Sequence, residues 1–291
     1  MNPTVNPAET QEVYASFRSI EEWQGWFSSR RVMGSEQYLE AAIARIRAQG
    51  VVEPLSNQRY SGQQVVIAGD NYRESIRAGQ LVSRQRAVLY TLVRLAKEHQ
   101  TLVSRHAKIY APEALTSFAL YMRGRYPKFI GSEYAETKAE RHRIFPILHQ
   151  DLQNLSFLND SFDLIVSNDV FEHVPDLDKA LSECSRILNP NGYLVATFPF
   201  ASNKEVGVRK AILENNTVKH LTTPEFHGNP MDPDKGSLVF EVPGWDLVNR
   251  AIAAGFADAH FTFVSSQTHG IIAKYFGGVF VFVAKKSEIN S

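Results

Sequence analysis

The stretch FDLIVSNDVFEHV, residues 162–174, sets an apolar run directly against ionisable side chains. Leu164, Ile165 and Val166 are followed by Ser167, Asn168 and Asp169, and then by Glu172 and His173. Carboxylates accept hydrogen bonds and hold cations, and a histidine takes and returns a proton near neutral pH. Two more histidines, His220 and His227, lie in KHLTTPEFHGNP, which is unusual for a mere linker. His173, His227 and His220 are therefore the candidate general bases for a hydroxyl nucleophile, with His227 the first choice on the acceptor side. A helical turn beginning after Asn168 would place Asp169, Glu172 and His173, at i, i+3 and i+4, on one face.

Such residues need a frame. From about residue 105, short apolar runs alternate with helical patterns. AKIYAPEA, KFIGSEY, RIFPILHQDL, FDLIVSN and GYLVATFPF read as strands; LTSFALYMRGRYP and DLDKALSECSRIL read as helices. This alternation implies right-handed crossovers and a parallel sheet. Ligands of such sheets sit outside the carboxyl ends of the strands, where Asn168 and Asp169 fall. Leu177, Ala180, Leu181, Cys184 and Ile187 share one helical face, which makes Cys184 a buried apolar residue. GWDLVNRAIAAGF reads as a helix, and DAHFTFVSS and GGVFVFVAKK read as closing strands. Residues 200–243 show no regular pattern and read as an acceptor-side insertion.

The first hundred residues read as a mostly helical domain, with helices over 11–29 and 35–49, a short strand and a turn at Gly69-Asp70 in QQVVIAGDNY, and a third helix in SRQRAVLYTLVRLAKEHQ. Ser35 is the expected N-cap and Gly50 the expected stop of the second helix. Residues 1–10 read as a loose tail. The expected domains are thus 1–100 and 101–286.

Bulk properties narrow the class. The 291 residues are 44% apolar, and 31 basic residues balance 31 acidic ones, so no global field draws the chain to nucleic acid or a membrane. From Arg73 to Lys128, 11 basic residues face three acids, so an anionic acceptor steered by Arg73, Arg84 and Arg86 is an open option. The single cysteine excludes an intrachain disulfide and a Cys-rich zinc site. No stretch approaches a membrane span and the N-terminus lacks a signal-peptide pattern, so a soluble, cytoplasmic protein is expected.

Residues 151–199, from DLQNLSF through SFDLIVSNDVFEHV to RILNPNGYLV, closely resemble class I S-adenosylmethionine-dependent methyltransferases. The resemblance extends more weakly over 105–285. It implies a doubly wound, seven-stranded, mostly parallel sheet with a reversed last strand, and S-adenosylmethionine as cofactor. By position, it implies Glu133 for the ribose hydroxyls, Asp151 for the adenine amino group and Leu152 beside the ring. Asn168, with Asp169 next to it, would line the methionine end. The family's first strand runs into a glycine-rich loop. Here the stretch reads KIYAPEALTSF, without glycine, and Pro112 cannot copy a positive-φ glycine. Tyr110, Ala111 and Glu113 would line this departure from the pattern. Glu113 would meet the cofactor's ammonium group, and Thr116 or Ser117 would cap the next helix.

The resemblance implies methyl transfer to oxygen or nitrogen of a small molecule, such as a sugar or secondary metabolite. Phe198, Phe200, Phe226, Trp245 and Tyr275 would wall the acceptor pocket. Some members of the family hold a divalent metal with Glu-x-x-Glu-His at this point and a distant histidine. On that likeness, Asp169, Glu172 and His173, completed by His220 or His227, are the alternative to a metal-free site. Two other readings stay open: an S-adenosylmethionine-binding enzyme that does not methylate, such as a cyclase, and a non-catalytic module. A homodimer through the N-terminal helices is a further option.

Overall fold

A computed structural model describes residues 11–288; the expected N-terminal tail, 1–10, lies outside the described residues. The chain divides into two compact units, Met1–Val103 with His260–Phe282, and Ser104–Ala259 with Val283–Ser291.

In the first unit, the helix expected over 11–29 is a strand, β1 (Glu12–Phe17), followed by a shorter helix, α1 (Ile20–Ser28). Val13, Ala15 and Phe17 alternate with Tyr14 and Ser16, a strand period that the aromatic content of this stretch obscured. Ser19 caps α1 by accepting from Glu22 N–H. The next helix, α2 (Glu36–Gln49), follows its reading: Ser35 accepts from Tyr38 N–H, and Gly50 takes φ +76°. Three short antiparallel strands follow, β2 (Val65–Ile67), β3 (Ile76–Ala78) and β4 (Leu81–Val82), before α3 (Ser83–Leu95). The region is therefore less helical than its sequence suggests. Leu39, Ile43 and Ile46 of α2 pack with Val65, Ile76 and Ile272.

Arg86 is fully buried and donates to the carbonyls of Ile76, Leu81, His269 and Gly270. Arg73 and Arg84 both pair with Glu74. Arg86 thus has no part in an exposed anion-binding edge, and the other two are committed to a carboxylate.

The second unit carries the parallel sheet. Its elements are β5 (Ile109–Ala111), α4 (Ser117–Arg125), β6 (Phe129–Glu133), α5 (Lys138–Ile144), β7 (Leu148–His149), β8 (Phe162–Asn168), α6 (Leu177–Ile187) and β9 (Leu188–Thr197). The strand order is β7-β6-β5-β8-β9, and every neighbouring pair is parallel. β8 is central, so it reads as a continuous run of buried residues from Leu164 to Asn168. The order reverses between β5 and β8, the switch point at which such sheets take their ligands.

Helix α6 buries the predicted face, Leu177, Ala180, Leu181, Cys184 and Ile187, and Asp176 caps it. Burial pushes the Cys184 thiol up, out of the reactive range.

The insertion over 200–243 is more regular than its sequence suggests. It contains a hairpin, β10 (Ala211–Glu214) with β11 (Thr217–His220), and a short pair, β12 (Phe226–His227) with β13 (Ser237–Leu238). Two- to four-residue strands leave too little periodicity to detect. Helix α7 (Leu247–Ala253) then leads to β14 (Phe256–Ser266) and β15 (Val279–Lys286). One strand more than the expected seven appears, because β1 pairs antiparallel with β14. Among the described residues, no helix is long and apolar enough to cross a membrane.

Candidate functional site

Two polar groups lie at the carboxyl ends of the second unit's strands. The first is built on the glycine-free loop after β5. Glu113 is buried, and its Oε1 accepts from both the backbone N–H and the side-chain amide of Asn168, each at 3.0 Å. Its Oε2 accepts from the Thr116 hydroxyl at 2.5 Å. Thr116 in turn caps α4 by accepting from Ala119 N–H, as its position suggests. Glu113 therefore ties the ends of β5 and β8 together across the switch point.

Glu133, at the end of β6, closes the same loop from the other side. Its Oε1 accepts from Ala114 N–H at 2.8 Å and Leu115 N–H at 3.0 Å. Burial raises its pKa, and these two hydrogen bonds only partly offset that effect. A carboxylate thus fixes the backbone of this glycine-free loop. A glycine on the neighbouring strand gives this loop its room. A Cβ on Gly131 would lie 2.8 Å from the Glu113 carbonyl oxygen and 3.1 Å from Ala114 Cα. Gly131 is visible in KFIGSEY, but only the pairing of β5 with β6 reveals its use.

The remaining residues that the resemblance singles out divide. Asp151 accepts from Gln153 N–H at 2.9 Å, and Leu152 beside it is buried. Asp169 holds a positive φ of 54° and donates its N–H to the Thr197 carbonyl. Ala111 is buried at the end of β5. Tyr110 is core: its ring meets Phe157 and Phe162, and its hydroxyl pairs with Ser132.

The second group follows β8 by one tight turn. Residues Phe171–His173 form a 3-10 turn, held by the Phe240 N–H donating to the Glu172 carbonyl. Among the described residues, Glu172, His173 and His227 form the one cluster with potential ligand atoms all within 4.8 Å of one another. Glu172 is fully buried, and neither carboxylate oxygen has a hydrogen-bond partner. His227 Nδ1 lies 3.4 Å and His173 Nε2 3.7 Å from Glu172 Oε1. The far nitrogens are anchored: His173 Nδ1 is 2.8 Å from the Leu238 carbonyl, and His227 Nε2 is 3.0 Å from Glu225 Oε1. The two rings meet edge-on at 5.4 Å. Glu172, and then Glu225, push the His227 pKa up to about 8 against the opposing effect of burial.

This corrects the sequence-based set. Asp169 is not in the cluster, because the turn after Asn168 is not α-helical. His220 is exposed at the end of the β10–β11 hairpin. His227 joins, as one of the two alternatives, because the β12–β13 pair brings it back. Glu225 was missed. In an extended strand, residues two apart share a face, and Glu225 with His227 in PEFH carries that signal. Of the expected aromatic walls, Phe198 and Trp245 are buried, Phe226 is half exposed, and Tyr275 belongs to the other unit.

A family model described as a methyltransferase domain matches residues 126–196. The phthiotriol/phenolphthiotriol dimycocerosates methyltransferase of Mycobacterium leprae is 27% identical over 130 residues, 44% of this chain and 47% of that protein. The sarcosine/dimethylglycine N-methyltransferase of Halorhodospira halochloris is 37% identical over 67 residues, 23% of this chain and 24% of that protein. The chain thus spans half or less of the length of these relatives. A Burkholderia thailandensis 1,6-didemethyltoxoflavin-N1-methyltransferase structure is 14% identical, with TM-score 0.39 over 69% of this chain and 79% of that one. The [4+2]-cyclase SpnF is 13% identical, with TM-score 0.43 over 93% and 97%. The matched segment runs from just before β6 to the end of β9, through the strands that carry Glu133 and Asn168. Over residues 126–196 the chain is thus similar to methyltransferase domains, and this match supports S-adenosylmethionine as cofactor.

Proposed function

We propose that the protein transfers the methyl group of S-adenosylmethionine to an oxygen or nitrogen of a small-molecule acceptor. The observation that carries this reading is the placement of Glu133, Glu113 and Asn168 at the carboxyl ends of β6, β5 and β8, around the switch point. In the proposed complex, Glu133 meets the ribose through Oε2, Asp151 faces the adenine amino group, and Leu152 flanks the ring. Asn168 and Glu113 hold the methionine end, where a buried carboxylate suits an ammonium group. The acceptor enters beside the turn that carries Glu172 and His173, and His173 and His227 are its polar contacts. His220 has no part.

The reaction is an in-line displacement. A lone pair of the acceptor forms the bond to the methyl carbon, and the carbon–sulfur pair returns to sulfur. The products are a neutral thioether and a methylated acceptor that gives up one proton. Since the sulfonium is already activated, alignment and exclusion of water supply most of the acceleration, on the order of 7–11 kcal/mol. Identical geometry serves an amine or a hydroxyl; the hydroxyl needs more help with its proton.

Calorimetric titration of S-adenosylmethionine and S-adenosylhomocysteine into wild type, Glu133→Ala and Asp151→Ala tests the reading. Micromolar binding to wild type, weakened at least tenfold in both variants, is expected. Absence of binding to the wild-type protein would overturn it.

A further inference from the structure

The groups described above occupy the carboxyl ends of the second unit's strands. At the opposite, amino ends, β5, β6 and β8 meet around a separate pocket of about 620 Å³. Phe129, Phe157, Leu158 and Phe162 line it, together with Lys108 and Lys128, which are exposed. No residue of the proposed methyl-transfer site does. A volume of this size, lined by apolar side chains with a few polar groups, is what a small-molecule site needs. The apolar lining is incompletely covered. Phe162 is buried and meets Phe157 edge-on at 4.9 Å, and Tyr110 closes the cluster behind them, 5.0 Å from Phe157. Phe157 is only part-buried, and Leu158 beside it is 80% exposed. A bound ring would remove that apolar area from water. It would also extend the edge-to-face arrangement that Phe157 and Phe162 already have.

The charge around the pocket is unbalanced. Lys108 and Lys128 directly precede Ile109 and Phe129, which pair in the parallel register, so the two lysines leave neighbouring strand starts. Neighbouring strands stand ~4.8 Å apart, and like charges rooted that close repel. Among the described residues, neither ammonium group is paired with a carboxylate. The acids nearby are taken. Asp163 accepts from Lys108 N–H at 2.8 Å and from Asn189 Nδ2 at 2.6 Å, and Asp160 holds Lys286. Ser156, also in the lining, accepts from Gln150 Nε2 at 2.7 Å, which leaves its hydroxyl proton for a further acceptor. Positive charge and a donor thus stand beside aromatic walls. An uncharged ligand would leave the lysines without a counter-charge, and a small inorganic anion would leave the rings uncovered.

We infer that the pocket at the amino ends of β5, β6 and β8 binds a small aromatic monocarboxylate, its ring against Phe157 and Phe162 and its carboxylate toward Lys108 and Lys128. This site is distinct from the one proposed for methyl transfer and does not depend on that reading.

The test is calorimetric titration of 2-naphthoate into the full chain, with 2-naphthamide and octanoate as comparators. One equivalent of 2-naphthoate is expected to bind with a Kd below about 1 mM, the range open to a two-ring fragment. The amide keeps the rings and loses the charge, so it should bind at least fivefold more weakly. Lys108→Gln combined with Lys128→Gln should weaken 2-naphthoate at least fivefold and leave 2-naphthamide unchanged, the scale of two exposed ion pairs. Both side chains are exposed, so an unchanged melting temperature should accompany the loss. No saturable binding by wild type, equal affinity for acid and amide, or indifference to the lysine substitutions overturns the inference; octanoate binding tighter than 2-naphthoate overturns the aromatic class. Sedimentation velocity checks the other occupant: a dimer that Leu158→Asp separates would mean that a second copy covers the pocket, and the inference would fall. Saturating S-adenosylhomocysteine and Glu133→Ala should both leave 2-naphthoate affinity unchanged; competition would place the acid in the cofactor site and overturn the inference. The two proposals fail separately. Naphthoate binding without cofactor binding supports this pocket and sinks methyl transfer; cofactor binding without naphthoate binding does the reverse.

Discussion

The loop after β5 and the turn after β8 lie at the same edge of the sheet and solve opposite problems. Around the loop, acceptors and donors are matched: Glu113 takes three hydrogen bonds, and Glu133 takes two. Around the turn, acceptors outnumber donors, and the nearest group to the Glu172 carboxylate that can donate, His227 Nδ1, stands 3.4 Å away. A matched network is rigid and complete without help. An unmatched one costs stability and persists where something else supplies the missing charge. Carboxylates of similar burial are therefore expected to differ in what they contribute to stability.

Removing one carboxylate from each side makes this contrast measurable. Glu113→Ala strands the buried N–H and side-chain amide of Asn168 and takes a partner from the part-buried Thr116 hydroxyl. The expected loss is roughly 3–5 kcal/mol, the scale of a broken buried network. Urea unfolding of wild type, Glu113→Ala and Glu172→Gln reads it directly. A Glu113→Ala loss below about 1 kcal/mol would show that the loop's hydrogen bonds are replaceable by water, and the contrast would fail.

Legibility in the sequence followed the length scale of the signal. The parallel sheet was readable because β8 and β9 are long apolar runs and α6 is strongly amphipathic. Asn168 and Glu133 were readable because they end such runs. β1 was misread as helix, since its aromatic residues continue into α1 without a break in polarity. The contacts of Glu225 and Gly131 were not readable. Each acts through a partner distant in sequence: Gly131 through the Glu113 carbonyl, and Glu225 through the arrangement of His227 against Glu172 and His173. Of the expected group Asp169, Glu172 and His173, the structure brings only the last two together. An α-helical turn would have presented Asp169, whereas the 3-10 turn presents Glu172 and His173 without it.

The loop side can be strained without touching a charge. Gly131→Ala places a Cβ 2.8 Å from the Glu113 carbonyl oxygen, in a well-packed layer that must shift. Overpacking of this kind costs about 1–3 kcal/mol. The shift falls on the loop, so cofactor affinity should drop along with the melting temperature. A melting temperature within a degree of wild type would mean that the backbone slides freely. The close approach would then not be what gives the loop its room.

The smallest expected effect is the most selective. Glu225→Gln keeps the shape of the His227 partner and removes its charge. Lys210, and then His227, hold the Glu225 carboxyl below the usual range, so it is ionised at neutral pH and the substitution is a real change of charge. The side chain is part exposed, and an exposed ion pair contributes no more than about 1 kcal/mol, so folding should barely change. The His227 imidazole should report the change, because Glu225 is the second of the two carboxylates that raise its pKa. Losing the charge should bring that pKa down from about 8 toward the ordinary histidine value, as read by NMR titration of the ring. A Gln side chain can also turn its amide toward His227 and favour the wrong tautomer, with Nδ1 protonated and Nε2 accepting. That would appear in the ring nitrogen shifts. If Glu225→Gln left the His227 pKa unchanged while lowering stability by more than about 1 kcal/mol, Glu225 would belong to the matched kind of network, and the boundary between the two groups would have to be redrawn around Glu172 and His173 alone.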